Sequence, residues 1–155
     1  MEIGLNLMLT LHLLAAVFWV GGMFLAFRVL RPASLQLEPP ARLNLWMGVF
    51  DRFFRWVWVF ILLIVVSGYI DWIWRFGNLE SIPLYLHLMQ GIGWLMIVLF
   101  AWMYFVPFQA FKRAVEAQVF PEAGALLNNK IRPVIAINLT LGTLEIIIGS
   151  AGKFF

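Results

Sequence analysis

The sequence predicts an all-α integral membrane protein, a four-helix transmembrane bundle built by residues 1–155 as one domain. Three observations predict it. Hydrophobic residues make up 63% of the chain and charged residues 12%, against about a quarter charged in soluble domains. No soluble fold of this length has interior enough to hide that much apolar surface. The apolar residues fall in long continuous runs, which suits helices, whereas barrel strands would alternate over about ten residues. The Lys and Arg residues sit between those runs, where they set topology. The net charge of +3 is therefore no signal for nucleic acid. Cysteine is absent, which excludes a thiolate metal centre and a disulfide.

A membrane-crossing helix needs about 20 apolar residues. Four segments meet that length: 3–30, 53–74, 83–108 and 132–151. The first has no basic stretch ahead of it, the first Arg being Arg28, and it reads as a retained helix rather than a cleaved signal. The connection that follows carries Arg28, Arg31, Arg42, Arg52 and Arg55. It breaks at Pro39-Pro40, and the second helix is expected to restart before Asp51. The second connection holds only Arg75. The third holds Lys112, Arg113, Lys130 and Arg132 and reads as a helical extension, a break at Pro121 and a short interfacial helix. Lys153 lies in the tail. By the positive-inside rule, connections one and three face the cytoplasm and both termini face outward. In a bacterial inner membrane that is the periplasm.

Four ionisable residues fall within or at the edge of spans: His12, Asp71, His87 and Glu145. At 1.5 Å per residue, His12 and Asp71 lie about 24 Å from the basic edge, Glu145 about 20 Å and His87 about 30 Å. All four are expected in the outer half of a hydrocarbon core about 30 Å thick, with Asn138 as the main polar residue of the inner half. Steps of three and four from His12 run through Ala15, Ala16, Trp19, Gly22 and Ala26; those from Glu145 run through Asn138, Gly142, Gly149 and Gly152. Small residues mark helix–helix faces in membranes, so the polar layer is expected inside the bundle.

Ionisable groups in a membrane are costly and mark function by default. Two histidines on different helices allow three constructions. One is a copper ion site with His12, His87, Glu145 and the thioether of Met8, one turn before His12, or of Met89; thioethers favour the cuprous state. Another is a b-type haem with His12 and His87 as axial ligands and Trp19, Trp94 and Phe18 against the macrocycle, held non-covalently because no C-x-x-C-H occurs. The third is a proton or substrate relay of His and Glu. No nucleophile elbow, phosphate loop or H-E-x-x-H motif is present. Enzymatic activity stays open, in the form of a haem-dependent membrane oxidoreductase.

The stretch "LHLLAAVFWVGGMFLAFRVLRPA" resembles the opening helix of the copper resistance protein D family. "FFRWVWVFILLIVVSGY", "PLYLHLMQGIGWLMIVLFAWMYFVPF" and "IRPVIAINLTLGTLEIIIGSAG" resemble its next three. The motif of His, then Trp-x-Gly-Gly, then a basic exit with Arg-Pro is the specific part. The rest matches as hydrophobic pattern. The resemblance implies an inner-membrane helical bundle in copper handling or transport, with His12, Trp19, Gly21, Gly22 and His87 as the positions that carry over. Larger members have eight spans and often stand beside a periplasmic copper carrier; the four spans here imply a homodimer if one chain does not suffice. Where relatives place another His near the cytoplasmic end of the third helix, this chain has Trp102. The first helix is also similar, more distantly, to the haem-binding protoporphyrinogen oxidases of the four-helix membrane type. The partners implied are therefore the lipid bilayer, a copper carrier and a second copy.

Overall fold

The computed structural model describes residues 2–77 and 82–151; Gly152 and Lys153 lie outside them. Every regular element among the described residues is helical. Helix α1 (Glu2–Phe24) passes through a π turn at Leu25–Leu30 into α2 (Arg31–Ser34). Helix α3 spans Pro39–Phe76, α4 Leu84–Phe105, α5 Pro107–Glu116 and α6 Phe120–Leu126, and a second π turn at Leu127–Ile131 leads into α7 (Arg132–Ala151). Four helical rods are long and apolar enough to cross a membrane: Ile3–Ser34, Pro39–Phe76, Leu84–Glu116 and Phe120–Ala151. Each exceeds the sequence-derived span, because the helices run on past the apolar window at the arginine-bearing end, called the basic end below.

Proline placement explains the joints. Pro39 and Pro40 occupy the first turn of α3, where a missing N–H costs nothing. Pro121 does the same at the start of α6. It begins a helix instead of breaking one, contrary to the expectation from sequence, and α6 runs on into α7 rather than lying apart as an interfacial helix. The turn between α5 and α6 comes three residues earlier, at Gln118, whose φ is +60°. There the Val119 N–H bonds the Ala114 carbonyl and the Gln118 N–H bonds that of Val115, the paired closure of a left-handed helix cap. Pro32 and Pro133 each follow an arginine directly after a π turn. A proline ring inside a helix collides with the carbonyl four residues back, and the widened turn relieves that collision.

The rods pack in the cyclic order α1, α3, α4, α7, with α1 against α3 and α7, and α4 against α7. The α3–α4 seam is made by large side chains: Trp58 against Phe100 and Tyr104, and Phe54 against Phe100. At the basic end Phe50, Phe54, Phe108 and Phe111 interlock, with Phe50–Phe54 and Phe54–Phe108 centroids each 4.9 Å apart. Leu127 and Ile131 seal this block from the α7 side. Lys112 Nζ reaches Asp51 at 2.9 Å and ties α5 to α3. The opposite end is packed differently. Beyond Ala15, Ser67, Met96 and Gly142, no described residue toward that end is buried.

Candidate functional site

His12 leaves the α1 face that meets α3. Gly68 makes room for it: a Cβ there would stand 3.2 Å from His12 Cε1. Nδ1 lies 3.1 Å from the Ile64 carbonyl oxygen and 3.2 Å from Ser67 Oγ. A carbonyl only accepts, so Nδ1 carries the proton. Ser67 Oγ donates to the Leu63 carbonyl at 2.5 Å and so offers the imidazole only lone pairs. In the neutral imidazole this arrangement selects the Nδ1–H tautomer, which leaves the lone pair on Nε2.

Across the bundle at the same level, Gln90 Nε2 donates to the Tyr69 hydroxyl at 2.6 Å and Trp94 Nε1 donates to it at 3.3 Å. Glu145, half-buried on α7, sets its carboxyl against the Gly93 backbone. Its Oε1 is buried with no hydrogen-bond partner among the described residues. Met89 closes on Gly149, where a Cβ would meet its Cε at 3.1 Å.

His87 and Asp71 stand further out. His87 is exposed and meets the edge of the Trp72 ring at a centroid distance of 6.4 Å. Asp71 accepts from Arg75 Nε at 2.8 and 2.9 Å. On α3, the His12 contacts at Ile64–Gly68 and the His87 contact at Trp72 are about 9 Å apart along the axis. On α4, Gly93 and His87 are again separated by about 9 Å. The single layer expected from sequence thus resolves into two tiers. The inner tier holds His12, Ser67, Gln90, Trp94 and Glu145 and the outer Trp72, Arg75 and His87; Tyr69, stacked on Trp72 at 5.5 Å, and Asp71, whose charge reaches His12, lie between them.

The predicted site residues are therefore only partly brought together. Met8 is half-buried one turn before His12. Trp19 belongs to the aromatic core, 4% exposed and edge-on to Phe100 at 6.1 Å. Trp94 is 46% exposed and anchored on Tyr69. Among the described residues, no three His, Cys, Asp or Glu side chains stand close enough to share a metal ion. Axial histidines must face one another across one iron, and His12 and His87 address different turns of α3, so the haem arrangement gains no support. Sequence reasoning passed over Ser67 and Tyr69. The signal was the two hydroxyls flanking a glycine in "IVVSGYI", in an otherwise apolar run. Asn138, 1% exposed, gives its amide to the Met96 carbonyl at 3.2 Å and pins α7 to α4 below the inner tier.

No curated protein and no solved structure matches the chain. A family profile described as "Copper resistance protein D" matches residues 47–151. That stretch contains His87, Trp94 and Glu145, while Met8, His12 and Trp19 lie ahead of it. The matched region takes in most of α3 and all of the remaining helices. Together with four membrane-length helices and an all-helical fold, this match shows that the chain belongs to the copper resistance protein D family, which implies a role in copper resistance.

Proposed function

We propose that the protein handles copper inside the membrane through His12, with a cuprous ion as its cargo. The observation that carries this reading is the fixed tautomer. Nδ1–H is committed to the Ile64 carbonyl, which leaves Nε2 as a ready ligand in the way that metal-binding histidines are commonly oriented. A thioether from Met8 or Met89 completes a soft set that favours Cu(I). The Glu145 carboxyl offers an oxygen unpartnered among the described residues in the same tier, and His87 offers a ligand one tier further out. With the basic end in the cytoplasm, both tiers face the periplasm of a bacterial inner membrane, where a copper carrier would deliver the ion. The basic half of the bundle holds no histidine, so passage across the whole membrane calls for ligands from a second copy.

The test is Cu(I) titration of the detergent-purified protein against a chromophoric chelator, with circular dichroism as a check on folding. His12→Ala is expected to weaken binding at least about tenfold. Equal affinity in the wild type and His12→Ala refutes the reading. A Soret band in the visible spectrum, lost in His12→Ala, would replace copper by haem.

A further inference from the structure

At the basic end, three arginines converge from separate segments: Arg31 at the start of α2, Arg42 in the first turn of α3 and Arg132 at the start of α7. The like charges of Arg31 and Arg42 are the ones that bear on Arg132. Among the described residues no carboxylate stands within ion-pair distance of them. The ion pairs among the described residues join Arg55 and Lys112 to Asp51, and Arg75 to Asp71. Arg132 Nη1 donates to Asn128 Oδ1, but its Nε–H is buried without a partner among the described residues.

Two of the three, Arg31 and Arg132, are also held in place. The Arg132 guanidinium sits 5.8 Å from the Trp46 ring centroid and that of Arg31 5.3 Å from the Phe27 centroid. Trp46 Nε1 donates to Ser34 Oγ at 3.1 Å, and Ser34 Oγ donates to the Arg31 carbonyl at 2.8 Å. One buried hydroxyl thus locks α2 onto α3. Arg31 and Arg132 each follow a π turn and precede a proline, so the same local geometry presents both. Cations fixed near one another without a counter-charge repel. Guanidinium groups match the oxygens of a phosphate through paired N–H donors. The cleft beneath them, between Phe27, Trp46 and Ile135, has a volume of about 10 Å³, room for about one water. An anion would therefore sit at its mouth, which Arg31 and Arg132 line, within reach of the Arg42 charge.

We propose that Arg31, Arg42 and Arg132 form a binding site for a phosphate oxyanion, which an acidic phospholipid headgroup would supply in a bilayer. The site is independent of the copper reading, since it lies at the other end of the bundle and uses none of the same residues. Native mass spectrometry of the full chain in detergent tests it with three probes: phosphatidylglycerol, phosphatidylcholine and inorganic phosphate. Phosphatidylglycerol is expected to be retained over phosphatidylcholine. In the Arg31→Gln/Arg42→Gln double variant its affinity falls about tenfold, as expected for losing charge-assisted contacts. Arg113→Gln, an exposed arginine on α5, leaves it unchanged. Displacement of the lipid by millimolar phosphate assigns the site to a free anion, and its persistence assigns it to the lipid. Equal retention of the two lipids with no phosphate bound, or an equal loss in Arg113→Gln, overturns the proposal. Because the double variant leaves the half-buried Arg132 in place, the test does not depend on an Arg132 variant that folds.

Discussion

Gly142 is the point where α7 touches both α1 and α4, and Gly142→Ala measures how tightly that point is set. A Cβ at 142 would lie 2.6 Å from Val20 Cγ2 and 3.2 Å from Met96 Cε. Met96 ends in a flexible thioether and gives way. Val20 is β-branched and stiff at χ1, so relief has to come from moving α1. Overpacking of this kind costs about 1–3 kcal/mol, and the 2.6 Å approach argues for the upper half. Replacing Gly by Ala inside a helix returns about 0.8–1 kcal/mol. The net expectation is a loss of about 1–2 kcal/mol. Reversible unfolding in mixed detergent–dodecyl sulfate micelles, followed by far-ultraviolet dichroism, reads this out. In a Val20→Ala background the clash partner is gone, so Gly142→Ala becomes neutral or stabilising, and the cycle yields a coupling of about 2 kcal/mol. Gly21→Ala is the control: a Cβ there meets nothing within 4 Å, and the variant should be at least as stable as the wild type. The reasoning fails if Gly142→Ala is as stable as Gly21→Ala, or if Val20→Ala does not rescue it.

Two further outcomes follow from contacts described above. Ser34→Ala leaves the buried Trp46 indole without its acceptor, and an orphaned buried donor costs about 1–3 kcal/mol; unfolding midpoints equal to the wild type would dismiss that bond. Topology is open to labelling because the chain has no cysteine: with a membrane-impermeant maleimide on intact cells, Asn6→Cys, about 33 Å from the Arg28 edge, should label directly and Glu122→Cys only after permeabilisation, and the reverse pattern would invert the bundle.

The four rods were legible because a hydrophobic run of membrane length admits little else. The extension of α3 toward the basic end was legible in part, since the sequence predicts a helix restarting after the break at Pro39-Pro40 and before Asp51, although the prolines themselves form its first turn. The same residue type misled at Pro121. A proline suits the first turn of a helix as readily as it ends one, and only the positive φ of Gln118 reveals where the chain turns. The two-tier arrangement was hidden for a related reason. Counting residues from the basic edge gives height along one straight axis, while the register between helices is set by packing at Gly68, Gly142 and Gly149. The π turns left no trace in hydropathy, although the repeated Arg-Pro pair at 31–32 and 132–133 marks where each ends. What fixes His12 is a backbone carbonyl, and no side-chain pattern announces one.

The uneven packing of the bundle has a mechanical consequence. Side chains of the aromatic block are clamped from every direction, and parting the helices there means breaking many contacts at once. At the other end, few residues are enclosed, so separation costs least there. The molecule is built like a pair of tongs, riveted at Phe50, Phe54, Phe100 and Phe108 and free at the tips. An ion reaching His12 from the tips would meet a mouth that opens without unfastening the rivet, and Trp19 and Phe100 would form the floor at which its descent stops.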